Sequence, residues 1–251
     1  MQNKKGQMII WVIVAIAIVV TIVILFFFKI KPSFLPQQIS SPEAFIQKCA
    51  GYNVLEAVDK MMPQGGFVNP ENYKVYQNTK IEYLCQNLGN YLSCINQHPA
   101  LLNEEKEEIK NYISPKIEKC FNDLRDELGK KGENIVYGKM NLDVFLAPRR
   151  IIVEIERETT ISKSGEINRF NNYKTEIESP LYELANVANE IASNEAKYCY
   201  FEYVGYMILY PEFDIRKFTM SDSTKIYTIE DKESGKKFNT AIRGCAIPAG
   251  I

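Results

Sequence analysis

Histidine is nearly absent: the chain of 251 residues carries one, His98. A single imidazole excludes multi-histidine metal sites and leaves a Ser-His-Asp triad only one possible base. There is also no CxxC pair, which removes the usual signature of a zinc ribbon or a thioredoxin-like dithiol. GxSxG, HExxH and phosphate-loop patterns are missing. Charge of one sign is missing too. With 30 basic against 31 acidic residues the net charge is −1, and nucleic acid is not an expected partner. There is no internal repeat and no low-complexity tract. No cofactor or metal is expected, and the chemistry points away from an enzyme.

What the sequence does have begins at its N-terminus. Met8 to Phe28 reads MIIWVIVAIAIVVTIVILFFF, 21 residues without a charge. As a helix it would be ~31 Å long, close to the ~30 Å hydrocarbon core of a bilayer. It is apolar on every face, unlike an amphipathic surface helix. It exceeds a typical signal-peptide core, and no A-x-A-like cleavage site follows. The expectation is a retained transmembrane helix over residues 8–28, with the lipid bilayer as its partner. Lys4 and Lys5 precede the segment and Lys29 and Lys31 follow it. With the amino terminus counted, the charge bias places residues 1–7 in the cytoplasm and the remainder outside.

The run Lys4-Lys5-Gly6-Gln7 ahead of the apolar segment resembles the class III, type IV prepilin-like signal of archaea. That resemblance implies cleavage between Gly6 and Gln7, with the helix retained and able to pack into a filament. Pilins usually carry glutamate at the fifth mature position, where this chain has Trp11.

All six cysteines, Cys49, Cys85, Cys94, Cys120, Cys199 and Cys245, lie beyond the apolar run. An even number confined to the exported part fits an oxidising compartment and disulfides. Residues 29–42 form a Pro/Ser stalk, KPSFLPQQISSP over 31–42. About 210 residues then remain, enough for a proper core.

Within residues 43–251, a helical part over 43–133 and a β-rich part over 134–251 are expected. Ser41 and Pro42 read as an N-cap and first-turn proline. Phe45, Cys49, Tyr52, Leu55, Val58 and Met62 then recur at spacings of three and four, predicting one buried face. Gln64-Gly65-Gly66-Phe67 reads as the stop, and as a place where backbone approaches a ligand. Ile81 to Cys85 and Tyr91 to Ile95 read as short strands that bring Cys85 near Cys94. A second helix is expected from Asn103 to Gly129, its first turn acidic. Its apolar stripe is Ile109, Ile113, Ile117, Cys120, Leu124 and Leu128. Cys49 and Cys120 each fall on the core stripe of their helix, so they are predicted to pair. A loop that long stabilises by about 4 kcal/mol on the chain-entropy argument.

Period-two alternation follows at Met140, Leu142, Val144 and Leu146, and again at Ile151, Val153 and Ile155. A three-residue loop Lys163-Ser164-Gly165 would set Ile161 against Ile167, Ile155 against Tyr173, Ile151 against Ile177 and Glu154 against Lys174. A third helix opens at Ser179-Pro180, with Leu181, Leu184, Ala188 and Ile191 inward. A hairpin of Thr224–Glu230 and Lys237–Ala246 ends the chain. Cys199 and Cys245 are paired by elimination. Grouped helices and hairpin-linked strands make the fold class α+β with a mainly antiparallel sheet.

Several of these features together resemble an uncharacterised family of archaeal single-pass surface proteins. They are the KKGQ-plus-apolar N-terminus, Cys49, Gln64 to Phe67, Cys120, the strand Ile226 to Asp231, and Lys237-Phe238. The resemblance implies an anchored surface domain and no particular activity.

Three candidate sites were weighed. His98 beside Pro99 reads as an ordinary loop residue. Glu154, Glu156 and Glu158 share one strand face and read as a solvated, salt-bridged surface rather than a glycosidase pair. Tyr198, Tyr200, Tyr203, Tyr206 and Tyr210, with Phe201 and Phe213, crowd 16 residues. They read either as core or as a surface for an envelope protein or glycan. The leading functional expectation is a membrane-anchored binding or scaffolding module of the cell surface. A prepilin-like subunit is the first alternative, and an exported hydrolase the second.

Overall fold

The computed structural model describes residues 41–247. The apolar run, residues 29–40 of the stalk, Gly6 and Gln7 lie outside the described residues. Among those described, no helix is long and apolar enough to cross a membrane. The described part is one compact unit, and its class is α+β with mixed and antiparallel sheets.

Helix α1 (Pro42–Met61) starts where the sequence places it. Ser41 is extended, and its Oγ accepts the Ala44 N–H at 3.1 Å. Its buried side matches the expected one at Val58 and Met62 and departs from it earlier in the helix. Ile46, Ala50, Asn53, Val54, Ala57, Val58 and Met61 face inward, while Tyr52 is 60 % exposed and Leu55 is exposed as well. The small residues Ala50 and Ala57 allow close approach of neighbouring backbone. Asn53 is tolerated because its amide donates to the Cys49 carbonyl at 2.8 Å. A 3₁₀ turn (Met62–Gln64) ends at Gly65, which is left-handed at φ 85°.

Helix α2 (Leu101–Gly129) begins two residues earlier than predicted, and Pro115 is inside it. Its stripe is the predicted one: all six named positions are buried, with Phe121 added. α1 and α2 pack together and are joined by the Cys49–Cys120 disulfide, Cα–Cα 6.2 Å.

Two sheets complete the unit. The first contains β1 (Tyr73–Tyr76), β2 (Thr79–Gln86), β3 (Ile95–Asn96), β8 (Phe213–Thr219), β9 (Lys225–Asp231) and β10 (Lys237–Arg243). Its order is β1-β2-β10-β9-β8, with β3 on β2. The pairing of β10 with β2 is parallel; the rest is antiparallel. This pairing puts the expected helical and β-rich parts into one sheet. The strand expected over Tyr91 to Ile95 is only the two residues of β3. Even so, Cys85 and Cys94 are bonded, Cα–Cα 5.4 Å.

The second sheet contains β4 (Asn134–Tyr137), β5 (Asn141–Ala147), β6 (Arg150–Lys163) and β7 (Glu166–Glu178). Both β4 and β5 pair with β6, and β7 runs along its other side. Ile155 faces Tyr173, Ile151 faces Ile177 and Glu154 faces Lys174, as the alternation predicts. The turn is different. Lys163 faces Glu166, so only Ser164 and Gly165 turn the chain, both at positive φ. A bulge between Glu156 and Thr159 absorbs the extra residue and sets Ile161 against Asn168 instead of Ile167.

Helix α3 (Leu181–Tyr198) packs on β10, β2 and β9, with Ser179 Oγ accepting from Leu181 N at 3.2 Å. Its C-cap, Cys199, is left-handed and bonded to Cys245, which stands just beyond β10 rather than in it. Arg149, in the β5–β6 turn, reaches Asp231 of the other sheet at 2.7 Å. Burial pushes the Asp231 carboxyl up, but the Arg149 guanidinium and the hydrogen bonds from Ser234 together outweigh it and hold the carboxyl below its usual range.

Candidate functional site: an aliphatic-tipped helix and a buried histidine cluster

Two places stand apart from the ordinary core. The first is helix α4 (Tyr203–Leu209), which the sequence reading did not foresee. The chain leaves α3 at Cys199 and drops Phe201 into the core, where it meets Tyr227 edge-on. Glu202 then caps α4 through the Gly205 N–H at 3.2 Å. After the helix, Phe213 is buried again at the start of β8. α4 is thus fastened at both ends by one buried phenylalanine, and no residue of the helix itself is buried.

The predicted tyrosines all gather here, but they are not its outermost groups. Tyr206 packs between Phe201 (5.3 Å between ring centres) and Tyr210 (4.5 Å). Burial pushes its hydroxyl pKa well above the usual range. The Lys217 ammonium stands 5.2 Å from both the Tyr200 and the Tyr203 rings. Lys197 covers Tyr198 at 4.8 Å. The Tyr200 hydroxyl donates to Glu202, which raises the pKa of the tyrosine and lowers that of the glutamate. More exposed than any of these rings are Ile208 (76 %) and Leu209 (75 %), and Val204 is exposed as well. The run 203–210, YVGYMILY, holds no charge.

The second place is around His98. Its Nδ1 lies 2.5 Å from Glu104 Oε2, its Nε2 3.7 Å from Glu82 Oε1, and its ring 4.6 Å from that of Phe67. Burial lowers the imidazolium pKa, but the bonds to Glu82 and Glu104 outweigh it, so the net shift is upward. Glu82 is itself buried and accepts the Glu71 and Asn72 N–H groups at 2.8 and 3.0 Å. Glu105 is fully buried without a hydrogen-bond partner on either oxygen. Burial, with the Glu104 charge adding, holds its carboxyl protonated well above the usual range. Gln64 steadies the neighbouring turn by donating to Lys60, Phe67 and Val68 carbonyls. Glu108 accepts the Val68 N–H at 3.0 Å.

His98 is therefore more than an ordinary loop residue: it ties β2, the 64–68 turn and the start of α2 together. Its Nδ1 is taken by Glu104, and its Nε2 faces the Glu82 carboxylate. Gln64 to Phe67 is a helix-terminating turn, as read, and what comes close to its backbone is Glu82 at Gly65 and Glu105 at Gly66. Glu154 pairs with Lys174 at 3.1 Å on a solvated strand face, as expected. Arg157, unmarked by the sequence reading, is buried. It forks onto Glu118 at 2.8 and 3.0 Å and lies over Phe121 and Tyr137. Among the described residues no cluster of three or more His, Cys, Asp or Glu is placed to hold a metal. No protein-family model, no curated protein and no solved structure matches this chain.

Proposed function

We propose that this chain is a non-enzymatic module anchored in the cell membrane by residues 8–28, with residues 43–251 outside the cytoplasm. There it binds or scaffolds a component of the envelope. The observation that carries the reading is that all six cysteines form disulfides, Cys49–Cys120, Cys85–Cys94 and Cys199–Cys245. Such bonds persist in oxidising compartments. The uncharged run Met8 to Phe28 supports a retained anchor, and α4 supplies an exposed contact face.

Thiol labelling on intact cells tests this directly. An impermeant maleimide is expected to label the protein only after reductant. Six reduced thiols in a soluble cytosolic protein would overturn the reading.

The Lys4-Lys5-Gly6-Gln7 motif supports a second reading, a prepilin-like subunit cut before Gln7. Mass spectrometry of the mature N-terminus decides it. A start at Met1 or Gln2 removes processing, and filament fractions without the protein remove assembly.

A further inference from the structure

We infer that α4 is a lipid-contacting element, with Val204, Ile208 and Leu209 entering the boundary between headgroups and acyl chains of the bilayer. The tether part of the argument rests on the anchor proposed above; the chemistry of the face does not.

What α4 offers outward decides among occupants. A glycan needs free ring faces and polar groups beside them. Here the ring of Tyr206 is stacked between neighbours, and those of Tyr200 and Tyr203 lie beside Lys217. A protein hot spot is centred on aromatic or arginine anchors, whereas leucine and valine are under-represented there. The tip of α4 is instead saturated hydrocarbon, three aliphatic side chains on a charge-free stretch. Tyrosines flank it in the chain, and tyrosine is the residue type found at membrane–water interfaces beside apolar groups that enter the bilayer.

The surrounding charges set the kind of lipid. Lys197, Arg216 and Lys217 are balanced by Glu190, Glu202, Glu212 and Asp214, so the rim selects no strongly anionic surface. A zwitterionic lipid fits.

The chain length then makes a small apolar tip sufficient. Residues 29–40 are 12 in number and span at most ~40 Å fully extended. On the proposed anchor, a tether of this length raises the effective concentration of the membrane for any weakly inserting face that reaches it.

The natural chain has one tryptophan, Trp11, inside the apolar run. This separates the two readings. The full chain is reconstituted in phosphatidylcholine vesicles whose acyl chains carry bromine either near the headgroup or near the terminal methyl. In the unaltered protein, quenching of Trp11 reports the anchor alone. In a W11F variant carrying Ile208→Trp, the new indole reports α4.

The expected result is blue-shifted emission quenched several-fold more by bromine near the headgroup. Adding Val204→Asp and Leu209→Asp is expected to return the emission to that of an indole in water. These positions are solvent-exposed, so folding is retained, which the near-UV circular dichroism checks. Unquenched emission typical of water overturns the inference. So does a blue shift that no brominated lipid quenches, which would mean that a second copy or another protein covers the face. Quenching at position 11 without quenching at 208 removes the inference and keeps the anchor. The converse keeps α4 as a lipid contact and removes the anchor.

Discussion

Gly66 lies against Glu105 so closely that a Cβ added to the glycine would stand 2.5 Å from the carboxyl Oε1. The glycine is also at φ 94°, a conformation that side chains disfavour. The buried acid and the glycine are therefore one feature: the turn after α1 closes over the carboxyl because it has no side chain there.

Gly66→Ala is accordingly expected to lose about 1–3 kcal/mol, since backbone strain and a buried contact add. The measurement is the urea midpoint under non-reducing conditions. Gly129→Ala is the control. Nothing lies within 4 Å of a Cβ there and its φ is not positive, so that variant is expected to be neutral or slightly stabilising.

The His98 and Glu105 shifts act on stability in one direction. Both folded-state pKa values are raised, from model-compound values of 6.5 and 4.5. Each contribution is complete below the unfolded value and is lost as pH rises through the folded one. Stability is expected to decline from above pH 4.5 because of Glu105, and further above 6.5 because of His98. Asp222 and Asp231 have lowered values and act oppositely, so their contribution is lost as pH falls below 3.8. Urea midpoints across pH should therefore be highest on the acid side of neutrality. His98→Gln should flatten the decline above 6.5, and Glu105→Gln the part that starts lower. A profile in which neither variant changes the slope would contradict the assignment.

The disulfides should rank by the loop each closes. The sequence separations are 71 for Cys49–Cys120, 46 for Cys199–Cys245 and 9 for Cys85–Cys94. Paired Cys→Ala replacement is expected to cost about 4 kcal/mol for either long loop and about 2.5 kcal/mol for the short one. Thermal midpoints of the three double variants test the order.

Arg157 carries a different expectation. Its buried fork on Glu118 and its stacking over Phe121 and Tyr137 require a planar guanidinium. Arg157→Lys keeps the charge and is nonetheless expected to lose about 1–3 kcal/mol, close to the loss for Arg157→Met. If lysine restores wild-type stability, charge alone holds the site.

The sequence was most legible where one face repeats without interruption. The α2 stripe from Ile109 to Leu128 is pure isoleucine, leucine and cysteine, and every position is buried. In α1 the buried face is built on Ala50, Asn53 and Ala57, while Tyr52 and Leu55 stay outside. Size and hydrophobicity therefore pointed one residue away. The β6–β7 pairs were legible because alternation fixes register, but a bulge is invisible to alternation and the turn was misread. The parallel neighbours β2 and β10 leave no local signal. His98 looked ordinary because Glu82 reaches it from a strand and Glu104 from a helix start. The tyrosine density around α4 was plain in the sequence; that Ile208 and Leu209 are more exposed than the rings was not, because periodicity does not say which side faces water.

One consequence of the β2–β10 pairing concerns biosynthesis. Strand β10 fits between β2 and β9, so the first sheet has a gap at its centre until residues 237–243 have emerged. A nascent polypeptide carries β2 with an open edge from residue 86 until β10 is made, and the Cys199 partner arrives only with Cys245. Completion of the domain thus waits on residues 237–245, and a product terminated before them is left with an unpaired strand for quality-control factors to recognise.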